Sequence, residues 1–290
     1  MALKEMGCTL TFSPCIIENM PAAEYHSMRE WTGSSVLRKL ASSSPLHAKH
    51  YENTPIKGAA LDLGTAFHAA MLQPEEEIYV IAPECDRRTK EGKALWAEFQ
   101  ADHKGLLIID YEMGESLNGM ITAAQADWRW TQALKKTKRE VSVFGDFGGQ
   151  IKSRMDAWKE DLIIDIKTSS EPVDAGSFSR SMDKFGYAQQ ACHYRECLKS
   201  SLRLQNKLIC DNYSFIFLCV ETKAPYGTAA YRLDDLDMDL HMSNLANMNK
   251  WWHECRATNS YPGYPQDSIM ELRLPGYALN KLTLQNGGPL

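Results

Sequence analysis

No apolar run in these 290 residues approaches the ~18 residues of a membrane-spanning helix; "LIIDI" and "FIFLCV" are far too short. The opening "MALKEMGCTLTF" lacks the basic-then-apolar layout of a secretory signal, so the sequence predicts a cytoplasmic protein with no membrane partner. None of the eight cysteines forms a Cys-x-x-Cys pair, which excludes a clustered zinc or iron–sulfur site. Several lie in apolar stretches and read as reduced core thiols. Internal repeats and low-complexity segments are also missing. Positive charge is not in excess: 32 Lys and Arg face 37 Asp and Glu, a net charge of −5. That balance argues against a protein coated with nucleic acid, although a local basic surface is still allowed. Three basic clusters are present: Arg38-Lys39, Arg87-Arg88-Thr89-Lys90 with Lys93, and Lys135-Lys136-Thr137-Lys138-Arg139. Taken singly, each reads as a solvated helix face or loop. With 44% hydrophobic and 24% charged residues, the chain has the composition of a soluble globular protein with a sizeable core.

The periodicity changes once along the chain. Residues 34–52 read as helix, interrupted near "SSSP" where Pro45 can open a second one. In "AALDLGTAFHAAMLQPEEE", Leu61, Thr65, His68 and Leu72 are spaced to share one helical face, and Pro74 ends the segment. "TKEGKALWAEFQADH" and residues 114–138 are two more predicted helices. Period two then takes over in "EVSVF" (140–144), "QIKSRMDAW" (150–158) and "LIIDIKT" (162–168), joined by the turns "GDFGG" and "KED". A helix over 185–202, a buried strand over 213–220, an edge strand "TAAYRL" and a helix over 234–257 complete the reading. The fold class is α/β, with an antiparallel three-strand meander in a sheet flanked by helices.

Alternation puts Asp165 and Lys167 on one face of their strand, opposite Leu162, Ile164 and Ile166. A tight hairpin at "KED" would set Asp156 beside them, and Glu140 opens the first strand of the same meander. Carboxylates gathered this way repel unless a cation joins them. A hard divalent ion such as Mg²⁺ prefers oxygen ligands, and a lysine can steady an attacking water or a phosphate. Gln190 and Tyr194, at i and i+4, share a helix face. On the residues alone the alternatives stay open: a structural Asp–Lys pair, a core Gln–Tyr pair, and a satisfied core histidine at position 68.

Six stretches, in this order, carry a resemblance: "LDLGTAFHAAMLQPEE" (61–76), "IAPECDRRTKEGK" (81–93), "EVSVF" (140–144), "SRMDAW" (153–158), "IIDIKTSS" (163–170) and "YAQQACHY" (187–194). With weaker matches on either side they cover most of residues 31–278. The chain resembles the exonuclease VIII (RecE) nuclease domains, within the RecB-like branch of the PD-(D/E)xK nucleases. The family's lysine motif often has Glu where this chain has Asp165, and the exonuclease VIII branch also uses Asp. The cysteine cluster of some RecB-like relatives has no counterpart here, because Cys255 stands alone near the C-terminal end.

The resemblance implies a restriction-endonuclease-like core with a central mixed sheet. It implies one exonuclease domain over 31–290, preceded by an extension or arm over 1–30. Asp156, Asp165 and the Ile166 carbonyl would ligate magnesium, with manganese as a substitute. His68 would sit at the metal as ligand or neighbour, Glu140 would complete the acidic cluster, and Lys167 would be the catalytic lysine. Gln190 and Tyr194, with Tyr187, would orient the site or the scissile strand. Arg87, Arg88 and Ser35 are the implied phosphate contacts. The implied activity is 5′-to-3′ digestion of linear double-stranded DNA in a bacterial or phage-infected cytoplasm. It would leave 3′ single-stranded tails for a single-strand annealing protein, and the enzyme would be a ring-shaped homo-oligomer. Two rival readings are a RecB- or Cas4-like nuclease working on single strands, and a DNA-binding recombination module with an idle site.

Overall fold

A computed structural model describes residues 13–54, 58–210, 212–264, 267, 269–276 and 278–280. The chain opens with β1 (Cys15–Ile17), α1 (Ala22–Ser27) and β2 (Thr32–Gly33). Residues 1–12 of the expected 1–30 extension lie outside the described residues. Residues 15–17 pair antiparallel with the strand that holds Phe144, and Met20, Tyr25, Trp31 and Phe144 pack together. Helices α2 (Ser34–Ser42) and α3 (Pro45–Asn53) follow, divided where expected. Pro45 opens the second helix, and the Ser44 hydroxyl accepts the His47 N–H.

Next come α4 (Ala59–Leu72), β3 (Tyr79–Ile81), α5 (Lys90–Asp102) and β4 (Leu107–Ile109); β3 and β4 make a small parallel pair. The single helix expected over 114–138 is two, α6 (Tyr111–Ala126) and α7 (Trp128–Leu134). Asp127 divides them, because its carboxylate accepts the Arg129 N–H and so starts a new helix. The third basic cluster therefore leaves the helix, and Lys138 and Arg139 open a strand.

That strand is β5 (Lys138–Asp146), followed by β6 (Gln150–Lys159) and β7 (Leu162–Ser169), the expected meander. Helices α8 (Ala175–Phe185) and α9 (Tyr187–Leu204) cross to β8 (Ser214–Glu221), then come β9 (Thr228–Arg232), α10 (Asp235–Leu240) and α11 (Met242–Thr258). The last two were expected as one helix over 234–257; the chain breaks at His241.

The sheet order is β1-β5-β6-β7-β8-β9, with β2 pairing in parallel with β6. Strands β7 and β8 are parallel because the helical crossover returns the chain to the starting end. Apolar residues fill both faces. On one, Val141, Met155, Ile163 and Phe217 pack on Ala191 and Leu198 of α9. On the other, Ala157, Ile164, Ile166 and Leu218 pack on Phe67 of α4, Leu117 and Met120 of α6 and Trp130 of α7. Full burial of each large side chain contributes roughly 1.5–3 kcal/mol, so the sheet is clamped from both sides. The seven cysteines among the described residues are free thiols, four of them buried. No helix among the described residues is long and apolar enough to cross a membrane.

Candidate active site

The site arises where β6 and β7 part. Their ladder runs Lys159↔Leu162, Trp158↔Ile163 and Ala157↔Ile164, then stops. One more step would set Asp156 directly opposite Asp165, two carboxylates face to face. Instead the strands diverge, and Asp156 Oδ2 accepts the Ile166 N–H at 2.6 Å. On the other side of β6, Arg139 and Val141 pair with Ala157 and Met155, while Glu140 between them has φ of +50°. Met155 packs in the cluster under α9 but Ala157 packs in the one under α4, so face alternation breaks at this point. This break in the pleat, with no residue inserted in either strand, re-aims the side chains of Glu140 and Asp156.

Helix α4 closes the cleft from above. A Cβ on Gly64 would stand 3.3 Å from Thr168 Oγ1, so the missing side chain lets the helix approach β7. One turn later His68 Nδ1 lies 3.5 Å from Asp156 Oδ1. The core face of α4 is Leu63, Ala66, Phe67 and Leu72. The face expected to join Leu61, Thr65, His68 and Leu72 is thus not apolar: Leu61 is 50% exposed and Thr65 exposed. Together with His68 they line the cleft, so this histidine is not a core residue. Donor atoms of His68, Glu140 and Asp156 all lie within 4.8 Å of one another.

Beneath them Asp165 is 2% exposed. Lys167 Nζ lies 2.5 Å from Asp165 Oδ2 and donates to Gln190 Oε1 at 3.2 Å. Gln190 Nε2 in turn donates to Asp165 Oδ1 at 2.9 Å. The Lys167 ammonium also stands 4.4 Å from the centre of the Tyr187 ring. Gly186, with φ of +65°, ends α8 and starts α9, which puts Tyr187 and Gln190 in the first turn facing β7. Tyr194 follows one turn after Gln190 and shares a side-chain hydrogen bond with it; burial pushes its phenol well above the usual range.

The carboxyls differ in how readily they ionise. Burial pushes the Asp165 carboxyl up, with Asp156 adding to the rise and Lys167 opposing it. Glu140 is also raised, by burial and then by Asp156, against the pull of Arg154. Asp156 is lowered, since His68, the Ile166 N–H and Lys167 together outweigh its burial. At His68 burial opposes an imidazolium, but the charge and hydrogen bond of Asp156, with the charges of Asp165 and Glu140, together outweigh it and raise the pKa. Three carboxylates crowded this closely, two of them resisting ionisation, fit a divalent cation. The donors placed to hold one are His68, Glu140 and Asp156.

The cleft has a volume of about 500 Å³ and is also lined by Arg154, Ile166, Lys167, Thr168 and Tyr187. Arg154 was missed in the sequence. Its Nε donates to Glu140 Oε2 and its Nη1 to the Met20 carbonyl at 2.7 Å, tying the N-terminal segment to the acidic cluster. Alternation does not point to it, because the faces of β6 switch between Met155 and Ala157. Arg87, Arg88 and Ser35 do not line the cleft. Arg88 is held by the Asp86 carboxylate at 2.9 and 3.0 Å, and Arg87 lies 4.3 Å from the Trp96 ring centre. Ser35 sits in the first turn of α2.

No curated protein matches the sequence. Among solved structures, the chain is similar to a candidate exonuclease from Eubacterium rectale, with a TM-score of 0.60. The two are 13% identical over 90% of this chain and 97% of that one. A phage-related exonuclease from Haemophilus somnus 129PT is 13% identical over 81% of this chain and 99% of that one, with a TM-score of 0.31. The first likeness shows the fold, the restriction-endonuclease-like core expected from the sequence. Residues 33–269 match the family described as a PDDEXK-like domain of unknown function (DUF3799), and the chain belongs to that family.

Proposed function

We propose that this protein is a magnesium-dependent 5′-to-3′ exodeoxyribonuclease that digests linear double-stranded DNA and leaves 3′ single-stranded tails. The observation that carries this reading is the meeting of His68, Glu140 and Asp156 beside the Asp165–Lys167–Gln190 chain in one cleft. Magnesium held there, with manganese as a substitute, would polarise the scissile phosphate and lower the pKa of a bound water. Asp156 and Glu140 supply hard oxygen donors, Asp165 and the Ile166 carbonyl stand next to them, and His68 flanks the set. Lys167 is pinned between Asp165 and Gln190, so its ammonium stays on the cleft wall, where it can hydrogen-bond the attacking water or a phosphate oxygen. Tyr187 supports that ammonium from below, and Tyr194 holds Gln190. Arg154 adds positive charge opposite.

Polarity, the annealing partner and a ring-shaped homo-oligomer rest on the resemblance to the exonuclease VIII branch. Arg87, Arg88 and Ser35 are then phosphate contacts away from the chemistry. The test is digestion of linear and circular duplexes labelled at either 5′ or 3′ ends, with magnesium. The expected result is loss of linear DNA alone, with 5′ label released first, and no activity in Asp165→Ala or Lys167→Ala. Wild-type rates in both variants would overturn the reading.

A further inference from the structure

The third basic cluster does not disperse into solvent. Beyond the end of α7 it forms a hollow of about 460 Å³, lined by Lys135, Lys136, Lys138, Lys159, Trp158 and Glu160 among others. Lys138 and Trp158 are register partners on β5 and β6, and the lysine stands 5.5 Å from the ring centre. Lys159 donates to the carbonyls of Gln132 and Lys135 at 3.1 and 3.3 Å, so its charge closes the helix end. Lys138 pairs with Glu18 at 2.7 Å in an exposed bridge of the kind that solvent weakens. Lys135 and Lys136 are exposed. Lys136 has φ of +57°, a left-handed backbone that favours glycine, yet it carries a lysine. Four lysines against Glu160 and Glu18 make a local positive surplus in a chain of net charge −5.

The position of this hollow matters as much as its charge. Lys138 and Trp158 stand two residues from Glu140 and Asp156 on the same two strands. That is about 7 Å along the strands, so a DNA backbone entering the cleft passes close to the hollow. We propose that this hollow is a second DNA site, holding backbone phosphates next to the scissile bond. The proposal rests on the nuclease reading and extends it. Separate ammonium groups spread across an open hollow suit repeated charges. A site for one small anion would instead converge several N–H donors on a point.

The test is anisotropy of an end-labelled duplex oligonucleotide with the full chain and EDTA, over a series of salt concentrations. Lys135→Glu/Lys136→Glu is expected to bind at least about ten-fold more weakly. Its slope of log K against log salt should be shallower by about 2, from two lost phosphate contacts. Lys135→Gln/Lys136→Gln should show the same slope change with a smaller loss of affinity, which covers any disturbance from charge reversal. Unchanged affinity and slope in both variants would overturn the proposal. So would displacement of the oligonucleotide by low-millimolar inorganic phosphate at fixed ionic strength, which would make this a small-anion site. Cleavage assays of wild type and Lys167→Ala keep the two readings apart. Lys167-dependent cleavage with wild-type binding in the lysine variants removes the hollow and leaves the nuclease. No cleavage with the slope change intact does the reverse.

Discussion

Gln190 uses both ends of its amide, donating to Asp165 and accepting from Lys167, so one side chain fixes the spacing of a buried carboxylate and its ammonium. Gln190→Ala should leave the fold intact and slow cleavage about 10–100-fold, the usual cost of losing a group that orients others. Single-turnover rates on linear duplex check this, and a rate within two-fold of wild type would refute the role. His193, three residues on in α9, has a different consequence. It is fully buried, and its Nε2–H donates to the Lys152 carbonyl at 2.9 Å. Burial pushes its pKa down to about 4. The unfolded chain takes this proton near 6.5, the folded one only near 4, so the stabilisation is complete above 6.5 and drains away as pH falls between the two. Urea melts at neutral pH and near the lower limit should show about 2–3 kcal/mol more acid loss in wild type than in His193→Gln. Equal loss in both would place the effect elsewhere. Asp156, Asp165 and Lys167 were legible because strand alternation and a short turn are arithmetic. Arg154 was not, since its role depends on Glu140 leaving the regular pleat, which no alternation rule anticipates.

At the scale of elements, sequence signals worked wherever a segment was long enough to show its period. The meander β5–β7 was read from alternation and two turns, and the break between α2 and α3 from Pro45. Strands β1 to β4 have two or three residues each, too few for any period to show. The divisions between α6 and α7 and between α10 and α11 fall inside continuous helical patterns and depend on local backbone choices at Asp127 and His241. Gly64 is the element-scale feature with the clearest functional consequence. It lets α4 come down on β7 and so carries His68 to Asp156. Gly64→Leu should force the helix away, costing about 1–3 kcal/mol by overpacking. The apolar face of α4 would stay packed, so circular dichroism should change little while manganese affinity falls. Gly64→Ala meets only Thr168 Oγ1 at 3.3 Å and should be milder. Equal metal affinity in Gly64→Leu and wild type would show that the approach of α4 is not what builds the site.

For the whole molecule, sheet order and the parallel β7–β8 pairing were not readable from periodicity. They follow from where α8 and α9 return the chain, and only the resemblance anticipated the resulting fold. That topology brings carboxylates from β5, β6 and β7 together. Folding gathers Glu140, Asp156 and Asp165 against Lys167, Arg154 and His68, with Glu140 and Asp165 raised by burial and by Asp156. The unfolded chain disperses these donors, so a divalent ion held in the cleft would bind the native state alone and stabilise it by mass action. At a hundred times its Kd the gain is about 2.7 kcal/mol. For a chain of this length that corresponds to roughly 4–5 °C in Tm. Asp156→Ala should lose this metal-dependent rise, whereas Asp86→Ala, an exposed carboxylate paired with Arg88, should keep it. Protons compete for the same donors. His68 is cationic below its raised pKa, and Glu140 and Asp165 take protons earlier than ordinary carboxylates do. The metal-induced rise should therefore be largest above neutrality and shrink as pH falls, in melts with and without magnesium at each pH. A rise of the same size in wild type and Asp156→Ala would mean that the ion binds elsewhere, and the donors gathered in the cleft would then have no part in holding it.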